Sequence, residues 1–254
     1  YAKNNGKKLH FMGLTSDGGV HSSLEHLEAM YKFAAEQGVE QAYVHCFMDC
    51  RDTDPKSGAG FIEQLTAKNL KLATIIGRYY AMDRDNNWDR VQKAYDSLVK
   101  GEGEKATSAV KAMEDSYAKD VTDEFVLPTV IVDEEGKPVS VVKENDSVIF
   151  FNFRPDRARE ITRAFCDDKF TGFERPFIPL TFVCFKDYDE TEEALHPLFI
   201  TVPMDTYVTS SRFIPNESWN YIYGHDKPVD SREPADGYHN EGPIYLYTVA
   251  DFIP

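Results

Sequence analysis

Residues 9–38 read LHFMGLTSDGGVHSSLEHLEAMYKFAAEQG, and this stretch decides the fold. Its first six residues are a short apolar run, which is typical of a buried β-strand. Farther on, four residues recur at helical spacing after a serine: Leu24, Leu27, Tyr31 and Ala34. Because serine favours the start of a helix and Gly38 would favour its end, the stretch predicts a strand followed by an amphipathic helix.

The same pattern continues along the chain. Strands are predicted at four further apolar runs: 41–48, 71–77, 147–153 and 180–185. Helices are predicted between or after them at four segments: 58–67, 88–100, 105–119 and 156–165. In residues 126–142, two β-rich runs flank the turn-like DEEGKP and predict a β-hairpin. The predicted fold is therefore α/β, a mostly parallel sheet flanked by helices, with a β-hairpin excursion.

Two parts of the chain differ in composition. Residues 1–194 carry the alternation of strands and helices and are expected to form one domain. Residues 195–254 are acidic and rich in Pro and Tyr without a clear period, so no fold is predicted for this tail.

Composition and charge exclude several classes of protein. The formal net charge of −15 over 254 residues argues against nucleic-acid binding. No apolar run approaches the roughly 18 residues that cross a bilayer, and no secretory leader is visible. The four cysteines show neither a CxxC pair nor a disulfide framework. The expectation is a cytoplasmic protein with reduced thiols that binds neither nucleic acid nor membrane.

Charged residues collect directly after four of the predicted strands. These loops read TSDGGVH, DCRDTDP, GRYYAMDRD and RPDR. In an open parallel sheet the carboxyl ends of the strands share one edge, and ligands bind there. The prediction is therefore a rim, formed by Asp17, His21, Arg51, Asp52, Arg78, Arg84, Arg154 and Arg157.

The residue types of the rim indicate an anion site. Five of the eleven arginines lie in it, and arginine suits bidentate capture of phosphate or carboxylate. Gly18 and Gly19 would let backbone N–H groups approach an anion. Asp52 and Asp156 would orient the arginines or accept a ligand hydroxyl. The expected ligand is a small polar molecule carrying phosphate, carboxylate or both.

Simpler interpretations exist for each loop taken alone. A helix start rich in Arg and Asp is often a solvated, ion-paired face, and a lone histidine is often a surface or capping residue. An acidic scaffold with surface arginines is accordingly one alternative. Repetition of the pattern after several strands favours the anion site.

Five stretches of the chain also match a known family: MGLTSDGGVHS (12–22), HCFMDCRDTDPKS (45–57), GRYYAMDRDNNWDRV (77–91), TDEFVLP (122–128) and FFNFRPDRAR (150–159). In this order they resemble the cofactor-independent phosphoglycerate mutases, metal-dependent members of the alkaline phosphatase superfamily. The resemblance implies that residues 1–194 are the phosphoglycerate-binding, phosphotransferase domain of an enzyme that interconverts 3- and 2-phosphoglycerate, in glycolysis and gluconeogenesis, through a phosphoserine. A second domain, absent from these stretches, would carry the serine nucleophile and two manganese ions.

The resemblance also implies roles for single residues. His21 would contact the phosphoryl group in transit, and Arg51 and Asp52 would hold the glycerate. Arg78 and Arg84 would bind its anionic groups, and Arg154 and Arg157 would bind phosphate. No catalytic nucleophile and no metal ligand is expected in this chain. The expected partners are phosphoglycerate and the metal-binding domain, and the alternative is a binding module without that chemistry.

One residue departs from the family pattern. Cys50 stands where the family favours glycine, in the turn that precedes Arg51. If the turn needs a positive φ, a side chain at this position is costly.

Overall fold

The computed structural model of the protein describes residues 1–186, residue 188 and the backbone of residues 199–201. The predicted domain boundary at 194/195 and most of the tail lie outside the described residues. Of the tail, only one strand is described.

Strands and helices alternate as predicted. The strands are β1 (Leu9–Leu14), β2 (Ala42–Met48), β3 (Leu72–Gly77), β4 (Glu104–Ala106), β5 (Thr129–Ile131), β6 (Ser147–Phe150), β7 (Thr181–Cys184) and β8 (Phe199–Thr201). The helices are α1 (Leu24–Glu36), α2 (Gly58–Ala67), α3 (Arg78–Ala81), α4 (Trp88–Val99), α5 (Ala109–Ala118) and α6 (Arg159–Cys166). A 3-10 turn spans Asp123–Phe125.

The described strands form one sheet in the order β4-β5-β3-β2-β1-β6-β7-β8. The five adjacent pairs from β3 to β8 are parallel. β5 runs antiparallel to β3, and β4 lies parallel to β5 at the edge. The prediction of a mostly parallel α/β sheet is confirmed.

Helices cover both faces of the sheet. Phe11 of β1 packs with apolar residues of α1, α2 and α5. The next residue, Met12, packs with those of α4 and α6 on the other face. Because successive strand residues point to opposite faces, a strand covered on both sides must be apolar throughout. This accounts for the run LHFMGL, in which all six residues are buried.

Local details differ from the sequence predictions. Ser23 occupies the N-cap position of α1, but its side chain makes no capping hydrogen bond. The helix expected from residue 105 begins at Ala109, because residues 104–106 pair with β5 as a strand. There Ser108 does cap, accepting from the backbone N–H of Lys111 at 3.3 Å.

The hairpin is shorter than predicted, and its first arm belongs to the main sheet. That arm is β5, beside β3. Its return arm makes a single antiparallel bridge, Val132 with Pro138. Proline has no backbone N–H to donate to a ladder, which is consistent with pairing that ends near this point.

The predicted strand 147–153 ends at Phe150. Beyond it, Asn152 turns inward and its Oδ1 accepts from the N–H of Leu14 at 2.9 Å. The N–H of Phe153 then donates to the carbonyl of His21 at 2.8 Å. Residues 151–153 thereby leave the sheet and join the loop after β6 to the loop after β1.

Candidate functional site

The register of the sheet brings four loops to one edge. Leu14 pairs with Phe47, Met48 with Gly77, and Met12 with Phe150, so β1, β2, β3 and β6 end at nearly the same level. The loops that follow carry the predicted rim residues. Of these, Asp17 is exposed, and its side chain is not part of the network described below.

Arg78 is at the centre of this network. It is the first residue of α3, directly after β3, and it is 3 % exposed. Its Nη1 donates to Asp49 and, at 2.7 Å, to Asp52. Its Nη2 contacts Nε2 of His21 at 3.0 Å. One buried guanidinium therefore links the loops after β1, β2 and β3.

Asp49 is a partner that the sequence analysis missed. It is buried, and its carboxylate accepts from Oγ of Ser16 at 2.6 Å. It also accepts from the backbone N–H groups of Arg51 and Asp52, at 3.2 Å each. The signal in the sequence is its position directly after an apolar strand, two residues before Arg51. Asp49 shapes the turn that presents them.

His21 is buried and neutral. Because arginine cannot accept a hydrogen bond, Nε2 must be the acceptor from Arg78 and the ring proton must be on Nδ1. Burial, and next the charge of Arg78, lower the pKa of His21 to about 4. Nδ1 lies 3.8 Å from Asp156, beyond hydrogen-bonding distance, and has no partner among the described residues. His21 thus presents an unused N–H donor.

Asp156 holds two of the rim arginines. It accepts from Nη1 of Arg84 at 3.1 Å and from Nε of Arg154 at 2.8 Å. Burial acts to raise the pKa of Asp156, but the two arginines and His21 outweigh it, so the pKa is lowered. Asp156 therefore lies in contact with both Arg84 and Arg154.

Arg51 is held by Glu124, a second residue that the sequence analysis missed. Nε of Arg51 donates to Glu124 at 2.9 Å, and Nη2 donates to the same oxygen. The hydrogen bond from Arg51 to Glu124 is the main reason that the pKa of Arg51 is raised. The neighbouring Asp123 accepts from the N–H of Gly58 at 2.8 Å and so satisfies the start of α2. The signal was the stretch TDEFVLP, which matched the family but had no assigned role.

Arg157 differs from the other four rim arginines. Its only hydrogen bond among the described residues runs from Nη1 to the carbonyl of Met82, at 3.0 Å. Its pKa is lowered, first by burial and next by repulsion from three arginines: Arg51, Arg84 and Arg78. Four of the five predicted arginines therefore come close enough to interact, and the fifth, Arg154, shares Asp156 with Arg84. Arg157 has no carboxylate hydrogen-bond partner in the described part of the chain.

Neither a group of metal ligands nor a membrane-spanning helix is found among the described residues. The described part of the chain contains no group of three or more His, Cys, Asp or Glu side chains arranged to hold a metal ion. No metal ligand is therefore assigned to these residues. None of the helices seen within residues 1–186 is both long and apolar enough to cross a bilayer.

Comparison with known proteins gives a consistent result. Residues 1–190 match the family described as "BPG-independent PGAM N-terminus (iPGM_N)". The chain is 51 % identical over 232 residues to the 2,3-bisphosphoglycerate-independent phosphoglycerate mutase of Lachnoclostridium phytofermentans, covering 89 % of this chain and 43 % of the relative. It is 55 % identical over 218 residues to the enzyme of the same name from Clostridium perfringens (strain SM101 / Type A), covering 82 % of this chain and 42 % of the relative.

A solved structure supports the same relationship. Leishmania mexicana phosphoglycerate mutase, crystallised at low cobalt concentration, matches with a TM-score of 0.69 and 34 % sequence identity. The match covers 73 % of this chain and 36 % of that one. The chain thus spans less than half the length of these relatives.

Proposed function

The chain belongs to the family of BPG-independent phosphoglycerate mutases, matching their N-terminal region, and on that basis we propose that it is the part of such an enzyme that binds phosphoglycerate. The ligand carries a phosphate and a carboxylate, which suits a rim with several arginines. The proposal covers 2- and 3-phosphoglycerate as ligands and His21, Arg51, Asp52, Arg78, Arg84, Arg154, Asp156 and Arg157 as the residues that bind or orient them.

The observation that carries the proposal is the state of Arg157. Three other arginines repel this half-buried guanidinium, and among the described residues only a carbonyl accepts from it, so its charge costs free energy in the free protein. A bound phosphate or carboxylate would remove this cost and supply charge-assisted hydrogen bonds. The arrangement is therefore suited to an anion that enters from solvent.

The other four rim arginines differ in how exposed they are and in which groups they contact. Asp156 and Glu124 fix Arg154, Arg84 and Arg51 in place while leaving these three side chains nearly half exposed. Part of each guanidinium group therefore stays accessible to a ligand from solvent while the side chain keeps its carboxylate partner. Arg78 contacts Asp49, Asp52 and His21 through Nη1 and Nη2, and its buried Nε has no partner among the described residues. Its role in this proposal is to hold the loops rather than to bind the anion alone.

His21 would act as a neutral hydrogen-bond donor. Its Nδ1–H has no partner in the described part of the protein and lies 3.8 Å from Asp156 at the rim. A phosphoryl oxygen within reach would accept this proton in a hydrogen bond. Because Arg78 occupies Nε2, the donor at Nδ1 is fixed, and the ring would help to orient a phosphoryl group as it moves.

The parent reaction is the interconversion of 3- and 2-phosphoglycerate through a phosphoserine enzyme, proposed for a cytoplasmic protein. Such transfer needs a nucleophile and strong cationic stabilisation of the moving group. Two manganese ions would supply Lewis-acid chemistry in the full-length enzyme. In this proposal, as the family resemblance implies, the ions and the serine belong to the metal-binding domain. A second candidate is a module that binds phosphorylated acids without catalysis, since a group of arginines suits such ligands whether or not a reaction follows.

Titration calorimetry with 3-phosphoglycerate tests binding. Arg157→Gln is expected to weaken affinity about tenfold or more, since a hydrogen bond to a charged group contributes roughly 1.5–3 kcal/mol. The same change should leave thermal stability equal or higher, because it removes a repelled charge. Lys119→Gln is the matched control: it removes one positive charge from an exposed site at the end of α5. Equal affinity of the Arg157 variant and this control would refute the proposal.

A coupled enolase assay separates the two candidates. The chain alone is expected to bind without turnover, with or without added manganese. Mixing it with the separately prepared remainder of a related full-length enzyme should restore turnover if it is the substrate-binding part of a mutase. Binding that persists with no turnover in the mixture would favour the non-catalytic module.

A further inference from the structure

Glu160 is a buried carboxyl group that the site described above does not use. It lies in the first turn of α6, three residues after Arg157, and is 5 % exposed. Its Oε1 accepts from the backbone N–H of Asn86 at 2.9 Å. Its Oε2 is buried, and within the described residues no N–H or O–H donor reaches it.

Asp83 is the neighbour of this carboxyl group. It is buried as well, near the start of the segment between α3 and α4, and it lies close enough to Glu160 for each carboxyl group to shift the pKa of the other. Asp83 accepts from the N–H groups of Asp85 and Asn87, at 2.9 Å each. It also accepts from Nδ2 of Asn87 at 3.0 Å and faces Nη1 of Arg90 at 3.4 Å.

Two ionised carboxylates cannot hydrogen-bond to each other, because neither has a proton to donate. One of the pair must be protonated for the contact to be favourable. Several donors and a guanidinium stabilise the charge of Asp83, whereas a single N–H reaches Glu160. The proton therefore belongs on Glu160, whose unpartnered Oε2 then becomes a donor.

Glu160 joins two segments that carry rim arginines, because it accepts from Asn86 in the loop between α3 and α4. Residues 83–87 carry Arg84, and α6 follows directly on the loop with Arg154 and Arg157. Asn86, which Glu160 holds, has a φ of +59°, a left-handed conformation that needs support from its surroundings. Without Glu160, the loop that carries Arg84 would lose the hydrogen bond from Asn86 to α6.

We propose that Glu160 is a positioning residue whose Oε2 donates a shared proton to Asp83 and so fixes Arg84 relative to Arg154 and Arg157. The link to ligand binding rests on the proposed function, whereas the shared proton and its hold on the loop do not. Burial, and among the charged groups Asp83 and Asp85, raise the pKa of Glu160 to about 7. For Asp83, burial acts to raise the pKa, but the hydrogen bonds from Asn87 and Asp85 outweigh it and lower the pKa.

The proposal predicts a dependence on pH near neutrality. Below about pH 7 Glu160 keeps its proton and the loop is held. As pH rises above this value, the pair becomes two facing carboxylates and the contact turns repulsive. The charged groups that face the pair are Asp85 from the same loop and Arg90 from α4, and neither can supply the missing proton.

Two variants separate a shared proton from packing. In Glu160→Gln, the amide keeps an acceptor for Asn86 and donates to Asp83 at every pH. In Glu160→Ala both contacts are lost. Glu63→Gln, on the exposed face of α2, is the matched control for the loss of a carboxyl group.

Ligand-free readouts test the proton and the loop. Infrared spectroscopy of the wild-type chain is expected to show a protonated carboxyl band at pH 6 that disappears as pH rises through about 7. The band should be missing from Glu160→Gln and retained in Glu63→Gln. Hydrogen exchange in residues 83–88 should be faster in Glu160→Ala, and unchanged in Glu160→Gln. A wild-type chain without the band, or an alanine variant with unchanged exchange in a folded protein, would overturn the proposal.

Affinity for 3-phosphoglycerate tests the effect on the cleft. Glu160→Ala is expected to bind about tenfold more weakly at both pH 6 and pH 8. Glu160→Gln should match the wild type at pH 6 and bind more tightly than it at pH 8; comparison at one pH cancels the titration of the ligand itself. Equal affinities of all variants would overturn the positioning role. If the wild type does not bind at millimolar concentration, the proposed function fails, and exchange and infrared data still decide whether the shared proton holds the loop.

Discussion

Cys50 shows how a single backbone angle constrains the choice of residue. Its φ is +83°, in the left-handed region, which is the condition under which a side chain at this position is costly. The residue lies between Asp49 and Arg51. The carboxylate of Asp49 closes this turn by accepting hydrogen bonds from the backbone N–H groups of Arg51 and Asp52. A side chain in this conformation costs roughly 1 kcal/mol or more, which glycine would avoid.

Cys50→Gly is therefore expected to leave stability unchanged or raise it by up to about 1 kcal/mol, since relief of strain offsets the greater freedom of glycine in the unfolded chain. The thiol contributes a weak contact with Thr122 at 3.7 Å, which the substitution removes. Urea unfolding of the two proteins measures the difference. A clear decrease in the unfolding midpoint would show that the thiol packs more usefully than its geometry indicates.

At the scale of elements, the junction between β3 and α3 depends on close packing against the 3-10 turn. Gly77 is the last residue of β3, and its N–H donates to the carbonyl of Val126 at 2.8 Å. A Cβ built on Gly77 would lie 2.2 Å from the carbonyl oxygen of Glu124. The site needs this approach, because Gly77 precedes Arg78 and Glu124 holds Arg51.

Gly77→Ala should consequently destabilise the protein by about 1–3 kcal/mol, the range for overpacking in a well-packed region. It should also weaken phosphoglycerate binding, since either Arg78 or the segment with Glu124 must move. Thermal unfolding and calorimetry measure the two effects. Gly60→Ala in α2 is the control, because a Cβ there meets nothing within 4 Å. Equal stability of the two variants would show that the turn can shift without cost.

At the scale of the whole molecule, a row of buried polar side chains crosses the strands whose loops carry the site. His10, His45 and Thr74 belong to β1, β2 and β3. Nδ1 of His10 contacts Nε2 of His45 at 2.9 Å, and Nδ1 of His45 contacts Oγ1 of Thr74 at 2.9 Å. On the other side, Nε2 of His10 lies 3.3 Å from Asp146. These hydrogen-bonded polar groups thus join β1, β2 and β3 to Asp146, the residue before β6. Burial is the main cause that lowers the pKa of both histidines, that of His45 well below 6.5.

This burial makes stability depend on pH in a defined direction. Below the unfolded-state pKa of about 6.5, the unfolded chain takes up protons that the folded protein excludes, so stability is lost as pH falls. The slope approaches about 1.4 kcal/mol per pH unit only between the folded and unfolded pKa values of a histidine. It is therefore expected for His45, whose pKa is lowered well below 6.5. His21 acts in the same direction, and Glu160, with its raised pKa, acts in the opposite one.

Comparison of His45→Gln with the wild type isolates one histidine from these opposing contributions. Urea unfolding between pH 7 and pH 5 should show stability falling less steeply in the variant, by about 1.4 kcal/mol per pH unit below pH 6.5. Glutamine retains hydrogen-bonding capacity towards Thr74 but does not titrate. An identical pH dependence in both proteins would mean that His45 is protonated in the folded state.

The sequence by itself determined the α/β fold, the place of the strands and the edge of the sheet where arginines collect. These features follow from apolar periodicity and from residues that come directly after a strand, and both are local properties of the chain. The sequence also carried the family relationship, through stretches that match in order.

Only the tertiary structure decided which group each charged side chain contacts. Arg78 pairs with Asp49 across 29 positions and Arg51 with Glu124 across 73. Glu160 meets Asn86 across 74 positions. Such pairs depend on the strand order, on the register and on how each loop turns, none of which a local pattern specifies. The same reason explains why β4 was missed and why β6 ended early: pairing with a distant strand, and the inward turn of Asn152, overrode the preference of the local sequence.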